Sequence, residues 1–457
     1  MPTLQFKGRN IIWNHHLGVP YHTLEEVKDL NFNKENAKGN LLIQGDNLVA
    51  LKALLPQYSG KIKCIYIDPP YNTGNDTSEN KGWIYSDNVN SPLIQKWLGK
   101  EVGKDDLTRH DKWLCMMTPR LKLLRELLSE DGAIFISIDD NEIGNLICLM
   151  DDIFGEENRR NIICIRRGIK SVQAQFETVE RLNYGFEYVI CYSKSPDFRF
   201  KKFEIELENG KPGSWNNHWR GTNRPTMRYE LFGIKPKTGQ WRWGKERSFA
   251  AIENYQLMLK ELNKKEEETN QEEIDRWYLE KIKETGEELD LLRLSNTGKP
   301  EHFVAPKDTK LASSNWSDLK PNGSNQLKQI FGKKMFNNPK SIDLIKRIIR
   351  FVEGGSKNSI VLDSFAGSGS TMHAVMDLND EDDGNRKCIL IQMTEETAEE
   401  PEKNICKSIT YERLKKSIKK YKYNSGFEYY KVGMPIDPEN MLEGQLPEYS
   451  QFAKYIS

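Results

Sequence analysis

Short apolar, β-favouring runs that each break off at a polar turn, with helical stretches between them, constrain this chain more than any other feature. Leu41-Leu42-Ile43-Gln44-Gly45-Asp46-Asn47 is one such run and turn, and a helical stretch follows over 48–55. The run 61–67 stops at Asp68-Pro69-Pro70-Tyr71, because two consecutive prolines cannot continue a hydrogen-bonded ladder. Over 111–128 the residues Trp113, Leu114, Met117, Leu121, Leu124 and Leu128 recur at three- and four-residue intervals, which predicts an amphipathic helix despite Pro119. Runs over 132–138 and 188–192 continue the alternation. After a long break it resumes, with a helix opening at Asn338-Pro339-Lys340-Ser341 and strands over 359–363 and 387–392. Such alternation predicts an α/β fold with a parallel sheet covered on both faces.

The break is foreign in composition. From 199 to 250 twelve Lys/Arg stand against five Asp/Glu, an excess of seven positive charges; from 251 to 290 six stand against thirteen, an excess of seven negative ones. The neutral total of 67 basic and 67 acidic residues conceals both modules. The resulting division is an N-terminal segment 1–40, read as polar and irregular, a first sheet part 41–195, an insert 196–335, a second sheet part 336–425 and a C-terminal tail 426–457. Within the insert, Trp215, Trp219, Trp241 and Trp243 interleave with Arg220, Arg224, Arg228, Arg242 and Arg247. That mixture suits phosphate contact and base-edge reading, or else a small tryptophan core under a solvated basic surface. The acidic segment 251–294 reads as a helical hairpin turned away from any phosphate contact and toward a second subunit, or as a mobile charged excursion.

With 37% hydrophobic and 29% charged residues, no apolar run near eighteen residues and no signal-like start, the sequence predicts a protein of the cytoplasm without membrane contact. Its seven cysteines are odd in number and never spaced Cys-x-x-Cys, which predicts reduced thiols rather than disulfides or a zinc knuckle. The seven histidines show no ligand spacing, so no metal is expected; His15-His16 reads as an exposed pair.

Two turns carry the chemistry. Asp363-Ser364-Phe365-Ala366-Gly367-Ser368-Gly369-Ser370-Thr371 lies between a strand and a helical run, where glycines bring backbone close to a ligand and a helix start can hold an anion. Met372 replaces the third glycine of the dinucleotide fingerprint, so a cofactor with a carboxylate end fits as well as a dinucleotide, and a bare strand-to-helix turn fits too. At Asp68-Pro69-Pro70-Tyr71 a carboxylate, a rigid carbonyl and an aromatic plane are fixed together. An exocyclic base amine needs two acceptors for its hydrogens and a flat surface for the everted ring. In isolation the tetrapeptide could equally cap a strand.

Taken in order, these motifs resemble the β-class amino-methyltransferases of DNA, and in detail the Mod subunit of type III restriction-modification systems. The likeness rests on residues 42–48, 65–74, 136–142 (Ile136-Ser137-Ile138-Asp139-Asp140-Asn141-Glu142), 336–340 (Phe336-Asn337-Asn338-Pro339-Lys340) and 362–371, and runs from about residue 40 to 420. It implies a Rossmann-like S-adenosylmethionine-dependent methyltransferase sheet, circularly permuted in the β order, with a target-recognition insert between acceptor turn and cofactor loop. The implied reaction is methyl transfer to N6 of a flipped adenine in duplex DNA, with Asp68, Pro69, Pro70 and Tyr71 catalytic. Implied at the cofactor are Asp46 against its adenine, Lys340 near its methionine end, and Asp363, Phe365, Ala366, Gly367, Ser368, Gly369 and Thr371 around its pocket. Many relatives carry an acid for the ribose after the second strand; here Gln392 stands there, with Glu395 and Glu396 just beyond. Double-stranded DNA, a second copy of the chain and a restriction subunit are the implied partners. An N4-cytosine methyltransferase and a non-catalytic DNA-specificity subunit are the alternatives; aspartate at position 68 favours adenine, and the intact turns favour an enzyme.

Overall fold

The computed structural model describes residues 3–73, 108–168, 182–200, 203–395 and 402–436, together with Thr178 and the short strands Trp83–Ile84 and Glu101–Val102. Gly74 and Glu396 lie outside the described residues. The chain forms two compact units, one of residues 1–202 and 313–457, the other Phe203–Ala312.

The first unit is built on a ten-stranded sheet. In chain order its strands are β1 (Tyr21–Glu26), β2 (Leu41–Gln44), β3 (Ile62–Ile67), β4 (Leu128–Ile138), β5 (Arg159–Arg166), β6 (Phe186–Ser193), β7 (Asn315–Trp316), β8 (Ile360–Asp363), β9 (Lys387–Gln392) and β10 (Glu428–Ile436). Across the sheet they run β1-β10-β2-β9-β8-β3-β4-β6-β5-β7. The stretch from β10 to β4 is parallel throughout, while β1 and β6 are antiparallel to their neighbours, so the sheet is mixed rather than wholly parallel.

Side-chain alternation explains why both faces are covered. Along β3 and β4, Ile65, Ile67, Ile134 and Ile136 pack on one face with helices α1 (Asn47–Tyr58), α2 (Arg109–Leu127) and α3 (Ile143–Phe154). Cys64, Tyr66, Ala133 and Phe135 pack on the other with α4 (Ile342–Glu353), α5 (Ser370–Asp382) and α6 (Glu412–Tyr421). Asp46 and Ser341 cap α1 and α4 through their side chains.

The order of strands matters more than their number. β8 and β3 are adjacent, with Leu362 opposite Ile65, although nearly three hundred residues separate them. From β8 the chain leaves through α5 to β9 on one side, and from β3 through α2 to β4 on the other. Where successive connections depart to opposite sides, a crevice opens at the carboxyl ends of the strands.

Three sequence expectations change. Residues 21–26, inside the stretch read as irregular, form the edge strand β1, and Glu428–Ile436, placed in the tail, forms β10 beside it. His16 is buried, not exposed, and burial with the nearby Lys122 and Lys52 lowers its pKa to about 4. The second unit is narrower than the insert 196–335, since Asn315–Trp316 and the helix Gly323–Phe331 belong to the sheet unit.

In the second unit, helices Lys245–Leu262 and Gln271–Thr285 pair over the strands Ser214–Asn217, Pro300–Val304 and Leu292–Leu294. Tyr255, Met258, Ile274, Trp277, Tyr278, Leu291 and Phe303 form its core. The acidic segment is therefore a packed helical pair, with Trp277 Nε1 donating to Glu261 and Lys264 to Glu273; its last residues are strand, not helix.

Candidate active site

The glycine loop that follows β8 is held from several directions. Asp363 accepts from the Thr371 hydroxyl (2.5 Å) and the Phe365 amide (2.9 Å), closing the turn on itself. Gln392, at the end of β9, accepts from the Gly367 amide (2.6 Å), and Thr410 Oγ1 donates to the Gly367 carbonyl (2.6 Å). Arg413, fully buried on α6, donates to Ser368 Oγ (2.7 Å) and Ser370 Oγ (2.6 Å). Gly367 and Gly369 have φ of 50° and 80°, left-handed values that favour glycine. At Gly369 an added Cβ would also crowd Thr410 at 3.1 Å. Burial, opposed by the two accepted hydrogen bonds and reinforced by Asp68, pushes the Asp363 pKa up to about 7.

Asp46 adjoins this loop, since the neighbouring Asn47 donates to the Ser364 carbonyl (2.9 Å) and Gly45 to the Gln392 carbonyl (3.1 Å). Its own carboxylate caps α1 through the Leu48 and Val49 amides and contacts Arg120 at 3.3 Å. Ser364 Oγ is different: it is buried and has no hydrogen-bond partner.

The Asp68-Pro69-Pro70-Tyr71 turn leaves the neighbouring strand at the same end. Trp113 Nε1 donates to the Pro70 carbonyl (2.7 Å), pinning the turn to α2. Asn72, in a left-handed conformation, donates to the fully buried Glu142 (2.5 Å), which also pairs with His110 (2.6 Å) and Asn145 (2.8 Å). Lys340 Nζ reaches Tyr71 Oη (2.5 Å) and Glu187 Oε2 (3.0 Å), and lies 3.4 Å from Asp68 Oδ1. That last contact is an ion pair not aligned as a hydrogen bond, so Asp68 Oδ1 is buried without a hydrogen-bond partner. Burial raises the Asp68 pKa; Lys340 opposes the shift and Glu187 adds to it.

A cavity of about 560 Å³ is lined by Asp68 to Thr73, Glu187, Arg166, Arg167 and Phe336 to Lys340, among others. Phe336, on its wall, packs against the glycine loop, for its ring lies 3.4 Å from where a Gly367 Cβ would stand. Lys340 joins the two turns: its carbonyl accepts from Ser370 Oγ (2.9 Å) while its ammonium sits on the acceptor turn. Among the described residues no group of three or more His, Cys, Asp or Glu could hold a metal, and no helix is long and apolar enough to cross a membrane.

The sequence matches the DNA methylase family over residues 62–403, an interval that contains both turns and the crossing between them. The chain belongs to the DNA methylase family. It is 32% identical to the Mod subunit of the type III restriction-modification enzyme EcoPI of Escherichia phage P1, over 82% of its own length and 61% of the relative's. Against the Mod subunit of the StyLTI enzyme of Salmonella typhimurium (strain LT2) the identity is 30%, covering 91% of this chain and 62% of the relative. The chain thus spans about three fifths of the length of these curated relatives. Among solved structures, the cytosine-N4-specific PvuII DNA methyltransferase aligns with a TM-score of 0.38 and 12% identity, over 84% of this chain and 93% of that one.

In the second unit the five arginines are not equivalent. Arg220 and Arg224 are exposed. Arg247 is held by Asp290 at 2.5 Å, Arg228 donates to the Gly239 carbonyl and Asn223, and Arg242 Nε is buried. Three of the four tryptophans serve the interior: Trp241 is buried, Trp215 packs on Tyr255 and Phe303, and Trp243 packs on His218 and His302. Trp219 remains exposed.

Sequence reasoning passed over Glu187, Thr410 and Arg413, and quoted Glu142 without a role. Two had a visible signal: Glu187 is a lone acid at the head of an apolar strand, and Arg413 a lone cation on the buried face of α6.

Proposed function

We propose that this chain is a site-specific DNA methyltransferase that moves a methyl group from S-adenosylmethionine to N6 of an adenine turned out of duplex DNA. The observation that carries the reading is Asp68 Oδ1, a buried acceptor that no hydrogen bond fills, on the wall of a cavity whose Phe336 packs against the glycine loop. Lys340 meets it in an ion pair at 3.4 Å. A buried carboxylate oxygen without a hydrogen bond is costly, and a donor arriving with the substrate offsets that cost.

The glycine loop fits the cofactor because Ser364 Oγ is another buried polar atom without a partner, set in a turn whose shape other residues already hold. Ser364, Phe365 and the start of α5 would hold the cofactor, with Asp363, Gln392 and Arg413 keeping the loop in shape. Bound there, S-adenosylmethionine supplies an electrophilic methyl carbon on a sulfonium. Adenine's amine is a poor nucleophile because its lone pair is delocalised into the ring. Asp68 Oδ1 accepts one of its N–H groups. Trp113 occupies the Pro70 carbonyl, so the Pro69 carbonyl takes the other. Both bonds strengthen as positive charge grows on nitrogen, which favours the transition state over the ground state. The Tyr71 ring, fixed through its hydroxyl, stacks against the base.

The exposed Arg220 and Arg224 are assigned to DNA phosphates. The names of the relatives support a restriction subunit as partner, and with it work in the cytoplasm. A homodimer rests on the family resemblance, and a monomeric mass in sedimentation would remove it.

Incubation with duplex DNA and methyl-labelled S-adenosylmethionine, followed by digestion to nucleosides, tests the central claim. Label in N6-methyldeoxyadenosine is expected. Label in N4-methyldeoxycytidine would move the reading to cytosine, and no label in DNA would sink it.

A further inference from the structure

Glu187 stands on β6 opposite Ile165 of β5, on strands that belong to neither turn, yet its carboxylate enters the cavity. It accepts from Lys340 Nζ at 3.0 Å and from the Tyr71 hydroxyl at 3.4 Å, and its side chain is 15% exposed. Lys340 therefore faces two carboxylates with one ammonium. Its aligned hydrogen bonds go to Glu187 and to Tyr71 Oη, and it meets Asp68 Oδ1 at 3.4 Å as an ion pair without an aligned hydrogen bond.

The arrangement has a chemical consequence. An ammonium that closed on Asp68 Oδ1 would occupy the acceptor that a base amine requires. Two carboxylates share one ammonium there, an excess of acidic groups of the sign that stabilises an amine becoming cationic. Neutralising Glu187 would free Lys340 to move onto Asp68 and erase that excess.

We propose that Glu187 is a positioning residue for methyl transfer: it takes the hydrogen bond of the Lys340 ammonium, so that Lys340 meets Asp68 Oδ1 only as an ion pair, and it steadies the Tyr71 ring through its hydroxyl, which leaves the acceptor oxygen able to take a hydrogen bond from the base. This rests on the methyltransferase reading above. The groups facing Asp68 are Lys340, Glu187, Tyr71, Tyr66 and Asp363. Of these, Glu187 is the one whose removal takes away a repelling charge and releases a cation toward Asp68.

Glu187→Gln tests it in steady-state methylation assays across pH. The expected result is a kcat lower by between tenfold and about a hundredfold, a KM for DNA changed less than about twofold, and an acid limb of kcat moved to lower pH. Glu187→Asp keeps the charge and is expected to recover most of the rate, with the acid limb in its wild-type place. It also carries the test should Glu187→Gln not fold. A Glu187→Gln kcat within about twofold of wild type, an unmoved acid limb, or a Glu187→Asp protein as slow as Glu187→Gln would each overturn the inference. Wild-type protein run in the same assay separates the two claims: if it transfers no methyl group, the functional reading fails, and if it transfers normally, only the role of Glu187 is at stake.

Discussion

Two aspartates end neighbouring parallel strands at the same edge of the sheet, and they are treated in opposite ways. Asp363, after β8, has both oxygens engaged, by the Thr371 hydroxyl and the Phe365 amide. Asp68, after β3, keeps Oδ1 buried and without a hydrogen bond, with a lysine in an ion pair 3.4 Å away. Burial raises both pKa values, so desolvation does not distinguish them. What distinguishes them is saturation. A carboxylate whose acceptors are filled by its own loop holds a shape, whereas one left open in a cavity is prepared for a donor from outside. The arginines of the second unit divide in the same way, Arg247 spent on Asp290 and Arg228 on a carbonyl, Arg220 and Arg224 left to solvent.

The sharpest way to break the comparison is Asp68→Ala. Methyl transfer should fall by on the order of a thousandfold, with cofactor affinity by calorimetry nearly unchanged, since an open acceptor contributes in the transition state. A variant with near wild-type rate would return Asp68 to the class of shape-holding residues. Asp363→Ala should do the reverse. Losing the Thr371 and Phe365 bonds loosens the glycine loop, so cofactor Kd should rise by about tenfold or more and the melting temperature should drop. Retained cofactor affinity would show that the loop does not depend on its aspartate.

A smaller effect lies in the pH profile. Asp68 must be ionised to accept the amine, and its pKa is raised by burial, so activity is present above that raised value and is lost as pH falls through it. The acid limb should therefore sit above the ordinary carboxylate range, and a kcat flat down to about pH 4 would contradict the burial of Oδ1. The smallest effect concerns DNA affinity. Replacing Arg220 and Arg224 with alanine should flatten the salt dependence of binding by roughly one to two in log–log slope, whereas replacing Arg228 should leave the slope alone. An unchanged slope in the double variant would remove these arginines from the DNA interface.

Much of the sheet was legible before any coordinates. β2, β3, residues 132–138 of β4, β8 and β9 are largely apolar runs because they are buried on both faces, and α2 announced itself by its spacing even across Pro119. β1 and β10 were not legible. Tyr21–Glu26 carries one buried residue among polar ones, and Glu428–Ile436 contains Gly433 and Pro435, so neither has the pattern of a sheet strand although the two pair with each other. Strand direction was also invisible: the apolar run of β6 looks the same parallel or antiparallel. At the site, the acid, the prolines and the tyrosine of the acceptor turn and the glycines of the loop could be read directly, because backbone demands limit which residues fit there. Their supports could not. Glu187, Glu142, Thr410 and Arg413 come from separate strands and helices, and only packing brings them to the turns.

By itself, then, the order of residues determined the local chemistry: which segments pair as strands, where each must turn, and which atoms a turn can offer. Tertiary structure decided which offered atoms remain free. Asp363 is filled from its own loop, by Thr371 and the Phe365 amide, whereas the hydrogen bonds of the lysine beside Asp68 go to Glu187 and Tyr71, residues far from it along the chain. Local sequence can encode the first case but not the second, because a hydrogen bond acts over about 3 Å of space whatever the separation along the chain.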